Sequence, residues 1–128
     1  MAPREVLLDT NALLLPHQSG IDIFAELERL GFGKPLVPKG VLRELESIAA
    51  TGSPRDRTAA RIGLELATTR CEILPGEGAV DDLLVKVAVE RGFAVATNDK
   101  ELKKRLRKVG VVLVYPRKRV LEMAGMEI

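Results

Sequence analysis

Short unbroken apolar runs alternate along this chain with stretches of helical spacing, and no other feature constrains the fold as strongly. "EVLLD" (5–9), "KPLVP" (34–38), "CEIL" (71–74), "FAVAT" (93–97) and "VVLVY" (111–115) are too short for helices. Their centres are continuous apolar runs, as strands buried on both faces are. Between them, "IDIFAELERLG" carries Ile23, Phe24, Leu27 and Leu30 at helix spacing, with Asp22 as N-cap and Gly31 as stop. "KGVLRELESIAA" places Val41, Leu42, Leu45 and Ile48 on one side, and "SPRDRTAARIGLELATTR" opens with a Ser-Pro helix start. "AVDDLLVKVAVERG" has Leu83, Leu84, Val87 and Ala88 apolar and ends at Gly92, and "DKELKKRLRKVG" is a further helix. "NALLLPH" reads as a helical turn stopped by Pro16, and the residues after Pro116 as one short helix. Strands alternating with helices predict an α/β fold with a parallel sheet covered on both faces. With 128 residues, one domain over 1–128 is expected. In such sheets ligands bind beyond the carboxyl ends of the strands, where strand order reverses.

Composition removes several function classes. There is one cysteine, Cys71, and one histidine, His17, so neither an internal disulfide nor a Cys/His zinc cluster is available. Trp is absent and aromatic residues make up 3%, too few for a base-stacking surface. No signal peptide or membrane span is readable, and a reducing cytoplasm is the expected compartment. His17, after Pro16, is read as a surface loop residue, and Cys71 as a buried apolar one. Arg55, Arg57 and Arg61 either extend a basic surface or solvate a helix.

Several acids stand where the chemistry of such a sheet is found. Asp9 follows Val6, Leu7 and Leu8 directly, and Asp99 follows the fourth apolar run. Each is also a good helix cap. Glu44 lies between Val41 and Ile48 at i−3 and i+4, near the buried side of its helix. Asp81 and Asp82 open a helix, where the dipole favours acids. Asp81 is read as a cap or first-turn acid, and Asp82, before Leu83 and Leu84, as the acid turned toward the sheet edge. Carboxylates gathered in one cleft repel, and a divalent cation relieves that repulsion. Oxygen-only donors select Mg²⁺ or Mn²⁺, either of which can activate water against a phosphodiester.

The charge distribution points to a polyanion. The net charge is only +2, yet residues 100–119 carry nine Lys or Arg against the single acid Glu101, leaving the rest of the chain at −6. The row Lys100, Lys103, Lys104, Arg105, Arg107 and Lys108 would hold a phosphate backbone without reading sequence.

"LLDTNALL", "VPKGVLRELESIA", "AVDDLLVKVA" and "FAVATNDKELKKRL", in that order, resemble the PIN-domain ribonuclease family over nearly the whole chain. The resemblance implies a three-layer α/β/α sandwich with strand order 3-2-1-4-5, which makes the first and fourth strands neighbours. It implies that Asp9, Glu44, Asp82 and Asp99 are the catalytic, metal-holding acids, with Thr10, Asn11, Thr97 and Asn98 as supporting polar residues. It further implies Mg²⁺- or Mn²⁺-dependent cleavage of single-stranded RNA, and pairing of two subunits. "ATNDKELKKRLRKVGVVLVY" is most similar to the branch that includes nucleases processing small-subunit ribosomal RNA. Toxin nucleases of toxin–antitoxin pairs stand second, so a ribosome-assembly factor or an antitoxin is the expected protein partner. Two other readings stay open on the residues alone. One is a non-catalytic RNA-binding scaffold whose acids are only caps. The other is an aspartyl-phosphate protein, against which "LDTN" lacks the second acid two residues on that haloacid-dehalogenase phosphatases use.

Overall fold

The computed structural model describes residues 3–125. The chain runs β1 (Val6–Leu8), α1 (Thr10–Ser19), α2 (Ile23–Arg29), β2 (Leu36–Pro38), α3 (Lys39–Thr51), α4 (Pro54–Arg70), β3 (Glu72–Leu74), α5 (Val80–Arg91), β4 (Ala94–Ala96), α6 (Lys100–Lys108), β5 (Leu113–Arg117) and β6 (Val120–Ala124). The sheet order is β3-β2-β1-β4-β5-β6. The first five strands are parallel, in the order the resemblance implies, and β6 pairs antiparallel with β5.

Alternate strand residues feed different cores, because successive side chains of a strand point to opposite faces. Val6, Leu8, Val37, Ala94, Ala96 and Val114 pack with residues of α1 to α4. Leu7, Leu36, Val95 and Leu113 pack with Leu84, Val87 and Ala88 of α5 and with Leu102 and Leu106 of α6. In β1, β2 and β4, all three residues are buried, so apolar residues at every position are required by burial on both sides; the edge strand β3 begins on the exposed Glu72. The result is the three-layer α/β/α sandwich.

Two sequence expectations are corrected. α1 continues through Pro16 to Ser19, so that His17 lies in its last turn rather than in a loop. It ends at Gly20, whose φ of 66° is left-handed. Pro16 removes one helical hydrogen bond, to the carbonyl of Ala12. Burial of Ala12, Leu13 and Leu15 offsets that loss. The close approach of α4 adds to it: a Cβ on Gly63 would sit 2.8 Å from the Leu13 carbonyl oxygen.

The segment after Pro116 is strand β6 rather than a helix. Leu121 and Met123 alternate onto the core of the first face, a period of two that outweighs helix propensity. A two-residue turn, Lys118-Arg119, joins it to β5, with Lys118 at a φ of 58°. The free edge of β6 is covered from α2. The Leu121 N–H donates to Glu26 at 2.9 Å, and Arg29 donates to the Leu121 carbonyl at 2.8 Å. These two bonds satisfy the outward-facing backbone groups of Leu121 on that edge.

Candidate active site

The site follows from the register of two strands. Leu8 of β1 pairs with Ala96 of β4, so Asp9 and Thr97 leave the sheet side by side at its carboxyl edge. Asp9 is buried, at 5% exposure, and Thr97 at 1%. The Thr97 hydroxyl donates to Asp9 Oδ2, and its oxygen accepts the Asp99 N–H at 3.0 Å. One threonine thus ties the acid that follows β1, 88 residues before it, to the acid that caps α6.

Both acids are caps as well. Asp9 Oδ1 accepts from the Ala12 N–H at 2.7 Å, and Asp99 Oδ1 from the Leu102 N–H at 2.8 Å. Capping and a place in the cleft, which looked like alternatives, coexist because a carboxylate has two oxygens and only one caps.

A cleft of about 270 Å³ is lined by Asp9, Thr10, Asn11, Leu14, Glu44, Val80, Asp81 and Asp99. Glu44 reaches it from α3, where Thr10 donates to its Oε2 at 3.2 Å. Its carboxylate is exposed at the rim rather than buried. Thr10 and Asn11 lie at the cleft as expected, but Asn98 is exposed and outside the lining.

Asp82 is not in the cleft. Its carboxylate is exposed and accepts from Arg105 at 2.8 Å. The acid that α5 delivers is Asp81, three residues before the buried Leu84 and therefore on the same helical face. Asp82 lies about 100° further round the helix. The i−3 relation to Leu84 was present in the sequence; adjacency to the apolar pair pointed to the wrong neighbour. This pairing also changes the basic row. Arg105 is engaged by Asp82, and Lys103 sits over the Tyr115 ring at 5.7 Å. Lys100, Lys104, Arg107 and Lys108 remain exposed.

The electrostatics are those of a site lacking counter-charge. Burial pushes Asp9 up to about 7 despite hydrogen bonds from Thr97 and Ala12, and the negative charges of Asp81 and Asp99 push in the same direction. Asp81, although exposed, is also raised, by partial desolvation and then by Asp99, with the charge of Arg105 acting in the opposite direction. Among the described residues, neither acid nor Glu44 or Asp99 forms an ion pair. Asn11 Oδ1 is buried with no hydrogen-bond partner among the described residues. All these donors are oxygens, the set a hard divalent cation takes. Among the described residues, no group of three His, Cys, Asp or Glu is close enough to enclose an ion. That suits an ion held by one or two carboxylates and completed by water and substrate, as Mg²⁺ commonly is. His17 is exposed, and burial pushes the Cys71 thiol up to about 11, so neither is a competing nucleophile.

Residues 6–119 match the family described as PIN like domain. The chain belongs to that family. Ribonuclease VapC9 of Archaeoglobus fulgidus is 31% identical over 112 residues, covering 88% of this chain and 82% of that protein. The rRNA-processing protein fcf1 of Schizosaccharomyces pombe is 35% identical over 113 residues, covering 84% of this chain and 55% of that protein. The chain thus spans little more than half of the fcf1 relative's length. Among solved structures, that of the PIN domain endonuclease Utp24 superposes with a TM-score of 0.78 at 30% identity, over 97% of this chain and 93% of that one. The PIN fold accounts for the sheet order and for the meeting of β1 and β4 at the cleft. No helix among the described residues is long and apolar enough to cross a membrane.

Proposed function

We propose that this chain is a divalent-metal-dependent endoribonuclease hydrolysing phosphodiester bonds in single-stranded RNA, with Mg²⁺ or Mn²⁺ as the ion. The observation that carries the proposal is the convergence of Asp9, Glu44, Asp81 and Asp99, from four separate stretches of sequence, on one cleft where, among the described residues, none of them forms an ion pair. One or two of Asp9, Asp81 and Asp99 would bind the ion directly and the remainder through water, with Glu44 at the rim. When bound, such an ion lowers the pKa of a coordinated water and screens phosphate charge. The chain supplies the rest. Thr97 fixes the orientation of Asp9 and the backbone of Asp99. Thr10 holds Glu44 toward the cleft. The exposed cations of α6 begin at Lys100, one residue after Asp99, and would draw the RNA backbone to the cleft without regard to sequence.

The likeness to fcf1 and Utp24 supports a ribosomal RNA precursor as substrate and a ribosome-assembly partner. The likeness to VapC9, over most of that protein's length, supports the second reading, a toxin nuclease held by an antitoxin. Single-stranded RNA incubated with Mn²⁺ or Mg²⁺ is expected to be cut internally, and a chelator to stop the reaction. Binding without cleavage in either metal would instead establish a scaffold.

The two neighbouring acids of α5 give a sharper check. Asp81→Asn is expected to lower kcat by about 10²-fold, the scale of losing one charge-stabilising group. Asp82→Asn, which removes only an exposed ion pair, should leave kcat within about threefold and cost less than about 1 kcal/mol of stability. Equal losses in both variants, measured by single-turnover cleavage, would remove Asp81 from the site.

A further inference from the structure

The tip of the β5–β6 hairpin is made of Arg117, Lys118 and Arg119, and the catalytic reading does not use it. We infer that this tip is a second phosphate-gripping element, which holds the RNA strand away from the scissile bond. The inference rests on the ribonuclease reading for its substrate.

Position is the first support. β5 is parallel to β1 and β4, so its carboxyl end faces the same edge of the sheet as Asp9 and Asp99. Ala96, the last residue of β4, pairs with Val114, yet β5 continues to Arg117. At about 3.3 Å per residue the tip stands roughly 10 Å beyond the end of β4. Between tip and cleft lies the start of α6, with Lys103 over the ring of Tyr115 on β5 itself. The exposed Lys100 follows Asp99 directly at that start of α6, so a free cation flanks the acids on the side of the sheet where the tip stands.

Availability is the second. Arg117, Lys118 and Arg119 are all exposed. Arg117 makes only a 3.7 Å contact to Glu122, and among the described residues Lys118 and Arg119 have no ion-pair partner. The hairpin is nonetheless fixed, paired along five residues of each strand and fastened to α2 through Glu26 and Arg29. A rigid arm loses little entropy when its tip is engaged.

The turn itself is the third. Lys118 holds the left-handed φ of 58° that two-residue hairpins normally give to Gly, Asn or Asp. A lysine at that position is uncommon. Three consecutive cations at a protruding tip fit a flexible polyphosphate, and the scarcity of aromatic residues leaves charge as the means of holding it.

The test uses the full chain in chelator, so that binding is read without cleavage, and fluorescent single-stranded RNAs of about 4 and about 16 nucleotides. In the tip variant, Arg117→Ser and Arg119→Ser are combined with Lys118→Gly, which suits the turn. Its affinity for the longer RNA should fall about tenfold, with the slope of log K against log salt reduced by about 2. Affinity for the short RNA should be unchanged. A control with Arg117→Lys and Arg119→Lys should bind both RNAs as the wild type does. Unchanged binding of the longer RNA, or an equal loss on both lengths, would overturn the inference; the first outcome would leave the tip for an acidic protein partner. Absence of metal-dependent cleavage alongside a length-dependent loss would sink the nuclease reading and leave the RNA grip standing.

Discussion

Asp9→Asn is expected to abolish metal-dependent RNA cleavage, lowering kcat by about 10³-fold or more, while leaving the protein folded. The fold survives because Asn is as good a cap as Asp and its side-chain oxygen can still accept a hydrogen bond in that pocket, where Asp9 accepts from Ala12 and Thr97. Stability should show the pH dependence of a buried acid, and its response to Mn²⁺ should separate a metal ligand from a purely structural one. Burial raises Asp9 to about 7, so between the ordinary carboxylate range and pH 7 the folded state holds a proton that the unfolded chain has released. The stability this group contributes is full below its unfolded pKa near 3.8 and is lost as pH rises through about 7. The loss in the metal-free protein is on the order of a few kcal/mol. The Asn variant has no proton to lose. In chelator at pH 8 it should therefore melt at a higher temperature than the wild type, and the difference should vanish toward pH 4. Mn²⁺ should restore wild-type stability at pH 8, by about 2.7 kcal/mol at a hundredfold excess over Kd, and do little for the variant. A variant that still cuts RNA, or that responds to Mn²⁺ as the wild type does, removes Asp9 from the metal site.

The second large effect lies away from the cleft, at Gly63. A Cβ there would come within 2.8 Å of the Leu13 carbonyl oxygen and 3.5 Å of its Cβ. The first obstacle is backbone, which cannot rotate aside. Gly63→Val should cost about 3 kcal/mol by overpacking, a fall in Tm of roughly 10 °C. Gly63→Ala should cost less, because alanine gains about 1 kcal/mol of helix propensity against the same clash. Activity should fall as well in the folded fraction of the valine variant. α1 begins at Thr10 and carries Asn11, so displacing it from α4 moves two residues that line the cleft. Unchanged melting and unchanged turnover in Gly63→Val would show that α1 and α4 separate without cost.

Asp9 and Asp99 were legible in the sequence because a strand-end acid in a parallel sheet has a known destination, the carboxyl edge. Glu44 was legible from its spacing to Val41 and Ile48, although its carboxylate proves to be held at the rim by Thr10 rather than buried. Thr97 was visible only as a polar neighbour of Asp99. Its link to Asp9 requires β1 and β4 to lie in register, and nothing local to either segment encodes that. Asp81 and Asp82 are chemically identical neighbours, and only the packing of Leu84 decides which one faces the cleft. Pairing of Asp82 with Arg105, 23 residues away, then withdraws one cation from the basic row.

What the chain carries in its own order of residues is the element alternation, the apolar strands, the caps and the segregated charge, because these depend on contacts a few residues apart. What only the tertiary structure decided is which acid of α5 enters the cleft, that α1 runs through Pro16 against Gly63, and that the last segment returns as β6 with its basic tip at the active edge. Each depends on distant segments meeting, and a helical face or a strand register acquires its meaning only from the surface packed against it.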